Sequence, residues 1–545
     1  MYPTLGKLFD DSVAAFSQNV ALRMPIPKER KRGRGIQLVL NEISYARLGE
    51  MVGRLTAALR ELGVDRGDHV ALISKPRAAW ATSFFAILRC GAAVVPLDPD
   101  LQKGEIERIL AEAEVKGVIV AGNSIDSVID LKSGLLRDGF IISMDRTKHE
   151  EAEFLDALLL GKSEAPRTEL DSSSLAILMY TSGTTGNAKG AMLTHANITS
   201  NAQTAVTVVE LTQTDTFLSI VPWNHIYGLT ITLVTPLLVG ATTSYTPVDR
   251  NLAAVMKTAK PSIILGVPKL YNVLYGRVMD SVNSSGIKRL IARVSPSLMG
   301  RLVKNKLFGK QFRFFTSGGA PLNPDAAEGF RRMGIGIMEG YGLTETAPLL
   351  TMCEAFAQEP GMTAIDGIDI RIDRPDEEGV GEILARGPNI MDGYYKNPEA
   401  TAEVIDTDGW FHTGDLGTYK NGRLIISGRA KNVIVLDTGK NVYPEEIEWE
   451  LVGIPAVDEI MVYEGSRQGI PAVCAQIYPN WPALKEIGIE TPSAALEHLW
   501  ETIKAKNENL AVFKRIKYKE CITLVEEPFQ KSAKLDIKRH LHQEA

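Results

Sequence analysis

The chain has 545 residues, which is too long for one ordinary hydrophobic core, so two or more domains are expected. Hydrophobic residues make up 45% and charged residues 23%, as is typical of a soluble globular protein. A net charge of −6 gives no general reason to expect nucleic-acid binding, and the four cysteines form no CxxC pair, which argues against a zinc site and for a reducing compartment.

The first segment, MYPTLGKLFDDSVAAF, does not have the features of a secretory signal. It carries an acidic residue by position 10 and contains no apolar h-region. We therefore expect a cytoplasmic protein. The apolar stretch 226–245 contains five threonines, a proline and two glycines, which favours a buried strand or helix segment over a membrane span.

Short apolar runs alternate with segments whose apolar residues recur every three or four positions. This alternation predicts an α/β architecture with largely parallel sheets covered on both faces. The predicted strands include 69–74 (HVALIS), 92–97 (AAVVPL), 117–121 (GVIVA), 217–222 (FLSIVP) and 262–267 (SIILGV), and the predicted helices include 45–62 and 103–113.

The most informative segment is YTSGTTGNAKG, residues 180–190. It follows the apolar run 175–179 and precedes Thr194, a helix-capping residue type, so the pattern predicts strand, loop and helix. Glycines, hydroxyls and one lysine together suit a polyphosphate. These residues are Gly183, Gly186, Gly190, Thr181, Ser182, Thr184, Thr185 and Lys189. Only two residues separate the last loop glycine, Gly186, from Lys189, so the spacing does not match the Walker loop.

Two basic runs precede the last third of the chain. The first, KERKRGR at 28–34, is predicted to be an exposed loop. The second, 288–313, mixes Lys and Arg with apolar residues at roughly helical spacing. Its pattern leaves two interpretations open, a solvated helix face and a helix that rests on an anionic membrane surface.

The pattern changes after about residue 361 to short β segments: DGIDIRI, GEILARG, GWFHTGDLG and GRLIISG. A charged segment of mixed α/β character follows from about residue 430 to the end. We therefore predict a large N-terminal domain, residues 1–428, made of α/β subdomains plus a small β-rich subdomain. A small α+β domain, residues 429–545, is predicted to follow it.

Four further motifs accompany the phosphate loop: SGGAPL at 317–322, GYGLTET at 340–346, GWFHTGDL at 409–416 and GRAKNVIVLDTGKNVYPEEIE at 428–448. With these motifs the chain resembles, over almost its whole length, the adenylate-forming superfamily of acyl-CoA ligases, luciferases and peptide-synthetase adenylation domains. GYYKNPEAT at 393–401 and GKNVYPEEIE at 439–448 are most similar to the long- and medium-chain fatty acyl-CoA ligases.

The resemblance implies ATP, Mg²⁺ and coenzyme A as cofactors and a fatty acid as substrate. It implies catalytic roles for Lys189, His225, Thr344, Glu345 and Lys534, and a Mg²⁺ site at Thr185 and Glu345. Nucleotide or CoA contacts are implied for Thr181, Ser182, Gly183, Thr184, Thr185, Gly186, Lys189, Gly318, Gly319, Ala320, Pro321, Tyr341, Gly342, Thr344, Asp415, Arg429, Gly439 and Lys534.

The implied roles agree with side-chain chemistry. A hard cation prefers carboxylate and phosphate oxygens, which suits Glu345. Tyr341 offers an aromatic face for adenine, with the backbone of 318–321 on the other side. An ionised carboxylate can accept hydrogen bonds from both ribose hydroxyls, which suits Asp415, and Arg429 can reach ribose or phosphate. His225, in PWNHIYG, matches the residue near the acyl carboxylate.

The implied reaction has two halves. A carboxylate attacks the α-phosphorus of ATP to give acyl-AMP and pyrophosphate, and a thiol, most often that of CoA, then attacks the carbonyl and releases AMP. In the family the small C-terminal domain is mobile and rotates between the halves about a hinge that matches Lys431. Rotation would bring 438–441 to the site, where Gly439 allows close backbone approach.

The tail is where the resemblance is weakest. The family ends in the motif PxTxxGKIxR, whose lysine contacts the α-phosphate and the carboxylate during adenylation, and a gap-free alignment of PFQKSAKLDIKR from its proline places Lys534 at that lysine. Three positions depart from the motif: Gln530, Ala533 and Ile537. A register shifted by two residues would instead place Asp536 at the lysine position.

Three functions remain open from the sequence. The first is a medium- or long-chain fatty acid–CoA ligase. The second is an acyl-AMP ligase that loads a carrier protein. The third is a weakly catalytic or non-catalytic relative that binds acyl nucleotides, motivated by the imperfect tail motif.

Overall fold

The structure is a computed structural model that describes residues 2–29, 36–181, 188–246, 252–319, 322–436, 440–467, 470–531 and 537–542. The strands up to residue 266 are β1 Val20–Glu29, β2 Ile36–Ser44, β3 His69–Ile73, β4 Ala93–Leu97, β5 Gly117–Val120, β6 Phe140–Ser143, β7 Glu153–Phe154, β8 Leu175–Thr181, β9 Lys189–Thr194, β10 Thr216–Ser219, β11 Thr242–Tyr245 and β12 Ile263–Gly266. The later strands are β13 Phe314–Gly318, β14 Gly336–Gly342, β15 Leu349–Met352, β16 Thr363–Ala364, β17 Asp369–Asp373, β18 Gly381–Arg386, β19 Gly393–Tyr394, β20 Phe411–Lys420, β21 Arg423–Arg429, β22 Ile434–Val435, β23 Asn441–Val442, β24 Val457–Arg467, β25 Ile470–Pro479 and β26 Ile522–Leu524.

The α-helices are α1 Leu5–Ala15, α2 Tyr45–Glu61, α3 Ala78–Cys90, α4 Lys103–Glu112, α5 Ser124–Ile129, α6 Leu155–Leu158, α7 His195–Val209, α8 Ile226–Gly228, α9 Leu252–Ala259, α10 Pro268–Asn283, α11 Gly286–Val294, α12 Pro296–Leu307, α13 Pro324–Arg332, α14 Pro398–Val404, α15 Pro444–Leu451, α16 Trp481–Glu486 and α17 Pro492–Asn507.

Two large sheets dominate the first three quarters of the chain. Among the described residues, one has nine strands in the order β16-β15-β14-β13-β12-β10-β11-β1-β2, and the other has eight in the order β19-β9-β8-β4-β3-β5-β6-β7. Neighbours in the middle of each sheet are parallel, and antiparallel pairs lie towards the edges. Strands β3 to β6 are buried along their whole length. The predicted α/β architecture with largely parallel, covered sheets is confirmed.

The predicted order of strand, loop and helix around the phosphate loop is incomplete. An additional strand, β9, lies between the loop and α7 and pairs antiparallel with β8. Ala191 and Leu193 are buried whereas Met192 between them is half-buried, and this period of two is that of a strand. Gly190 therefore lies in β9, opposite Tyr180, and not in the loop. The predicted cap is correct, because the Thr194 side chain accepts from the Asn197 N–H at 3.2 Å.

The apolar stretch 226–245 is a buried series of short elements. It comprises α8, a π-helical turn Leu229–Val234, a 3₁₀ turn Thr235–Val239 and strand β11. Thr232 and Thr235 donate to carbonyls inside the stretch, at 2.6 and 2.8 Å, and so satisfy their buried hydroxyls. The prediction of a buried segment is confirmed. No helix within the described ranges is both long enough and apolar enough to cross a membrane.

The remaining sheets are antiparallel or small. Strands β17, β18, β20 and β21 form a four-stranded antiparallel sheet from the β segments predicted after residue 361. The three-stranded sheet β24-β25-β26 packs with α15 and α17 around an apolar core whose members all lie between Ile434 and Leu524. The chain thus has a large N-terminal domain and a smaller C-terminal α+β domain.

Candidate active site

The described site residues gather where strands end. Strand β8 ends at Thr181, β13 at Gly318 and β14 at Gly342. The Thr181 hydroxyl donates to the Lys189 carbonyl at 3.4 Å across the β8–β9 pair. Ligands of open α/β sheets bind outside the carboxyl ends of the strands, so these three ends mark the candidate pocket.

Several predicted site residues lie outside the described residues. They are Ser182, Gly183, Thr184, Thr185, Gly186, Ala320, Pro321, Gly439 and Lys534. Their roles in phosphate, adenine, metal and CoA binding remain predictions from the sequence.

Tyr394 contacts both Lys189 and Glu345. The Tyr394 hydroxyl donates to Glu345 Oε1 at 2.9 Å, and Lys189 Nζ lies 5.0 Å from the centre of the Tyr394 ring. Strand β19 brings this tyrosine to β9, where it pairs with Ala191, two residues beyond Lys189. Burial, and next the nearby Glu345 carboxylate, raises the pKa of Tyr394 well above its ordinary value. The tyrosine therefore keeps its proton at neutral pH and remains a donor.

Sequence reasoning missed Tyr394 as a functional residue. The GYYKNPEAT motif that contains it served only as a marker of the fatty acyl-CoA ligase branch. The signal for a role lay in the pairing of β19 with β9, which is a contact between residues about two hundred positions apart in the chain. No local pattern shows that pairing.

Asp415 is the centre of a second cluster. Its carboxylate is 5% exposed and accepts from the Tyr341 hydroxyl at 2.9 Å and from Arg429 Nε at 3.0 Å. Asp415 and Arg429 face each other directly across β20 and β21, so sheet register sets the ion pair. Burial, and next the Asp415 charge, raises the pKa of Tyr341 well above its ordinary range. Each carboxylate oxygen can accept a second hydrogen bond, so ribose can still be held.

Two predicted glycines are required by the backbone. Gly319 has φ +85°, a conformation that side chains with a Cβ rarely adopt. A Cβ on Gly342 would lie 1.7 Å from the Pro348 carbonyl oxygen, which leaves no space for one. Gly318 contacts the Tyr227 ring, which a Cβ there would approach to 3.1 Å.

Thr344 begins the 3₁₀ turn Thr344–Thr346 that also carries Glu345, and both residues are buried.

His225 directly precedes α8, and Tyr227 within that helix lines an apolar cavity. His225 is half-buried, and its carbonyl accepts from the Leu229 N–H at 2.9 Å. Two residues further, the Tyr227 hydroxyl donates to Thr316 Oγ1 on β13 at 3.3 Å. The cavity has a volume of about 20 Å³, room for roughly one water-sized sphere. Its walls are Ala205, Val209, Leu211, Phe217, Tyr227, Ile231, Thr235, Ile263, Thr316, Ser317, Met338, Gly340, Leu349 and Met352, without a charged side chain.

The described part of the tail is anchored to the small domain. Lys531 and Ile537 form an antiparallel bridge, and Lys534 is the middle residue of the five between them in the sequence. Arg539 donates from Nη2 to both oxygens of the half-buried Glu448 at 2.6 and 2.7 Å, and from Nη1 to the Val462 carbonyl at 2.7 Å. Despite this cation, burial raises the pKa of Glu448.

Lys431 lies between the two halves of the chain. It is part of the 3₁₀ turn Ala430–Asn432 directly after β21. Burial, and next the cations of Arg429 and Arg539, lowers the pKa of Lys431. Its neighbours thus belong to the β20–β21 sheet on one side and to the tail on the other.

The donor set fits a nucleotide with Mg²⁺. Mg²⁺ is usually bound through one or two carboxylates together with substrate phosphates, and Glu345 supplies one buried carboxylate, with Tyr394 between it and the Lys189 cation. Asp415, Tyr341 and Arg429 form a cluster of acceptors and donors of the kind that ribose hydroxyls need.

Comparison with known proteins also indicates a nucleotide-binding enzyme. The family profile "AMP-binding enzyme" matches residues 29–395, and the profile of the AMP-binding enzyme C-terminal domain matches residues 431–545. The chain belongs to the AMP-binding enzyme family.

Its relatives act on different acids. A feruloyl-CoA synthase from an Amycolatopsis species is 32% identical over 77% of this chain and 80% of its own. The peroxisomal long chain acyl-CoA synthetase 7 of Arabidopsis thaliana is 27% identical over 97% of this chain and 83% of its own. The crystal structure of ATP-bound MatB from Rhodopseudomonas palustris covers 98% of both chains at 25% identity, with a TM-score of 0.77.

Membership in this family establishes the class of reaction but not the acid that is used. The protein is an acid–thiol ligase of the AMP-forming acyl-CoA synthetase type, and the family uses ATP, Mg²⁺ and CoA. The fold with a large N-terminal and a smaller C-terminal domain also matches the solved structures.

The contact between Tyr394 and Glu345 generates a test of the metal site. Glu345→Ala should reduce adenylate formation at least about 100-fold, because a charge-stabilising group next to the phosphates is lost. Tyr394→Phe removes only the donor that orients Glu345, so it should raise the Mg²⁺ concentration for half-maximal rate roughly tenfold or more. Pyrophosphate release measured across a Mg²⁺ series gives both values.

Tyr395→Phe is the matched control, because the Tyr395 hydroxyl contacts Glu114 at 3.5 Å instead of Glu345. It should leave the Mg²⁺ dependence as in the unmodified enzyme. Full activity of Glu345→Ala at saturating ATP would remove Glu345 from the site.

Proposed function

We propose that this protein is a medium- or long-chain fatty acid–CoA ligase. The single observation that carries the chain-length class is the cavity between α7, β13, β14 and β15, which has apolar walls and no charged side chain. Burying a CH₂ group stabilises a complex by about 0.8 kcal/mol, so a hydrocarbon tail there would be a major source of substrate affinity.

The position of the cavity supports the same assignment. Ser317 and Gly340 line it, and the next residues in the chain, Gly318 and Tyr341, belong to the nucleotide site. An acid whose tail lies in the cavity would therefore present its carboxylate at the ends of β13 and β14. His225, at the start of α8, would lie on the same side as that carboxylate.

The small volume means that the walls must separate when a long acyl chain binds. Space for one water-sized sphere does not hold even a short alkyl chain. Wall residues from α7 and from the turns that follow α8 share no covalent neighbour with β14, so separation can occur between elements. The energy would come from burying the chain.

For adenylation we assign each residue one task. Lys189 and Thr344 neutralise and position phosphate oxygens, Glu345 holds Mg²⁺ with Thr185, and Asp415 and Arg429 hold ribose. Mg²⁺ in that position supplies charge neutralisation at the phosphates. Tyr394 orients Glu345 and supports the Lys189 cation.

For the second half-reaction we propose that residues 429–545 rotate relative to residues 1–428. Few polar contacts join the described parts of the two halves besides the hinge, among them Tyr443 Oη donating to Asp376 Oδ2 at 3.0 Å and a pair between Lys514 and Glu378 at 4.0 Å. Contacts of this kind are weak enough to exchange during rotation.

The experiment that tests the function measures ATP-dependent AMP formation across a panel of carboxylic acids, with and without CoA. Saturated acids of graded length, ferulate and a dicarboxylic acid separate the acid classes. AMP and thioester that form only with CoA support the ligase. Transfer to a carrier-protein phosphopantetheine without CoA turnover would favour the acyl-AMP ligase, and no AMP with any acid would favour a binding protein.

The cavity generates a substitution test of chain length. Ala205→Leu adds three carbons to the wall on α7 while retaining a good helix former. It should lower kcat/KM for long-chain acids at least about tenfold relative to short-chain acids, because the tail loses its space. Rates for a long and a short saturated acid with each variant give the ratio.

Val208→Leu is the control on the same helix, since Val208 is 39% exposed and lies outside the cavity wall. It should leave the ratio unchanged. Equal loss for both acids in Ala205→Leu indicates damage to folding, and an unchanged ratio would show that the acyl tail binds elsewhere.

The predicted role of Lys534 in the tail can be tested by substitution. If Lys534 stabilises charge at the α-phosphate, Lys534→Ala should slow adenylation on the order of 100- to 1000-fold, or roughly 3 to 4 kcal/mol. Conversion of supplied acyl-AMP and CoA to thioester should persist, because that half uses the other domain orientation. Pyrophosphate release and thioester formation are measured separately.

Lys538→Ala is the matched control and should change neither half. The shifted register makes the opposite claim, an enzyme that is slow as it stands and accelerated by Asp536→Lys. A fast enzyme that keeps its adenylation rate in Lys534→Ala would refute the gap-free alignment.

Rotation of residues 429–545 about Lys431 can be tested by restricting the backbone at that position. Proline at position 431 disfavours the helical conformation of the preceding residue, Ala430, which lies in the 3₁₀ turn. Lys431→Pro should therefore impair thioester formation more than adenylation. Lys431→Ala removes the charge and keeps the backbone free, so it separates the two causes. Equal loss in both halves for the proline variant would contradict a rotating domain.

A further inference from the structure

Helices α11 and α12 present an apolar stripe to solvent. Ile287, Leu290 and Val294 of α11 are 74%, 63% and 75% exposed, and they lie at i, i+3 and i+7 on one face. Leu298 and Leu302 of α12, at i and i+4, are 36% and 49% exposed. Helix α11 has no fully buried residue and is held only by half-buried positions such as Ile291. Folding of the chain therefore does not require this stripe.

Cations accompany the stripe without acidic neighbours in the sequence. Residues 281–324 contain eight Lys or Arg and no Asp or Glu, although the whole chain carries a net charge of −6. Arg289 and Arg293, at i and i+4, lie on one side of the α11 stripe. Within the part of the chain that the structure describes, the side chains of five of the eight make no ion pair or hydrogen bond: Arg289, Arg293, Arg301, Lys306 and Lys310.

Few acidic side chains lie on the helices that pack against this face, and one of them is already paired with arginines. Helix α13 packs against α12; its Glu328 is paired with Arg331 and Arg332, and its other acid, Asp325, lies in its first turn. Helix α10 contributes Asp280 at its C-terminal end, one turn after Arg277. The face therefore keeps a local positive field in a chain that is otherwise acidic.

We propose that this basic–apolar face, formed by α11 and α12, docks on the surface of an anionic lipid bilayer. A helix with an apolar stripe flanked by Lys and Arg lies in the bilayer interface with the stripe among the acyl chains and the cations at the headgroups. Anionic headgroups complement the unpaired arginines. The proposal concerns attachment alone and is independent of the substrate.

Charge disfavours the other occupants of an exposed apolar face. A second copy would bring the same arginines against themselves in a twofold contact, which is repulsive. Nucleic acid would satisfy the cations but would leave Ile287, Leu290 and Val294 in water. Only a lipid surface offers negative charge and an apolar layer at the same place.

The test is co-sedimentation of the full chain with vesicles. One set contains phosphatidylcholine alone, and the other contains about one third phosphatidylglycerol. The chain should sediment with the anionic vesicles, and added salt should release it because surface charges are screened. Sedimentation with both sets alike, or with neither, would overturn the proposal.

A matched pair of double variants locates the contact. Arg289→Gln with Leu290→Ser should lower partitioning onto anionic vesicles at least about tenfold. Lys485→Gln with Ile487→Ser removes one exposed cation and one exposed apolar side chain from the small domain and should leave partitioning unchanged. Both variants should keep the melting temperature and the adenylation rate with a water-soluble acid.

Three results would overturn the assignment. The first is undiminished binding by the α11 variant, and the second is an equal loss in the control variant. The third is a smaller particle for the α11 variant than for the unmodified chain in vesicle-free sedimentation, which would show that the face joins two copies.

Discussion

The candidate site depends on the burial of two carboxylates, Glu345 and Asp415. A buried carboxylate is tolerated only when donors or cations replace the water it has lost. Tyr394 meets that need for Glu345, and Tyr341 with Arg429 meets it for Asp415. Removing a partner from such a group costs more than the contact itself contributes, because the charge stays buried.

This constraint joins three sheets at one place. Tyr341 and Glu345 lie four residues apart, at the end of β14 and in the turn that follows. The first reaches the β20–β21 sheet through Asp415, and the second reaches β19 and β9 through Tyr394. A segment of seven residues, GYGLTET, therefore positions the residues proposed to contact ribose and the residue proposed to hold Mg²⁺ relative to each other. That explains why a short motif can carry so much functional information.

The sequence predicted the elements whose signal is local. Continuous apolar runs such as HVALI became fully buried parallel strands, and the Thr194 cap was correct. Strand β9 was missed because glycine and lysine, which form its start, are disfavoured in strands, whereas its pairing with β8 is stabilised by burial of Ala191 and Leu193. Tertiary context overrode local propensity there.

The site could be predicted as a set of motifs but not as a set of contacts. Residue types indicated that Glu345 and Asp415 belong to a nucleotide site, yet nothing local indicated that Tyr394 holds the first. The bond between Arg539 and Glu448 likewise joins positions far apart in the chain, and it anchors the tail next to the stretch whose motif departs from the family. Such contacts follow from topology, which composition and spacing do not encode.

The cavity and the proposed nucleotide site share strands, and in the function proposed above this would link acid binding to nucleotide binding. Ser317 lines the cavity and Gly318 follows it on β13, just as Gly340 lines the cavity and Tyr341 follows it on β14. Protein interiors are close-packed, so wall movements that admitted an acyl chain would be transmitted along the same strands. Because Tyr341 donates to Asp415, a shift of β14 would also act on this carboxylate, the proposed ribose acceptor. Coupling of this kind is reciprocal in binding free energy, so ATP would influence how readily the cavity opens.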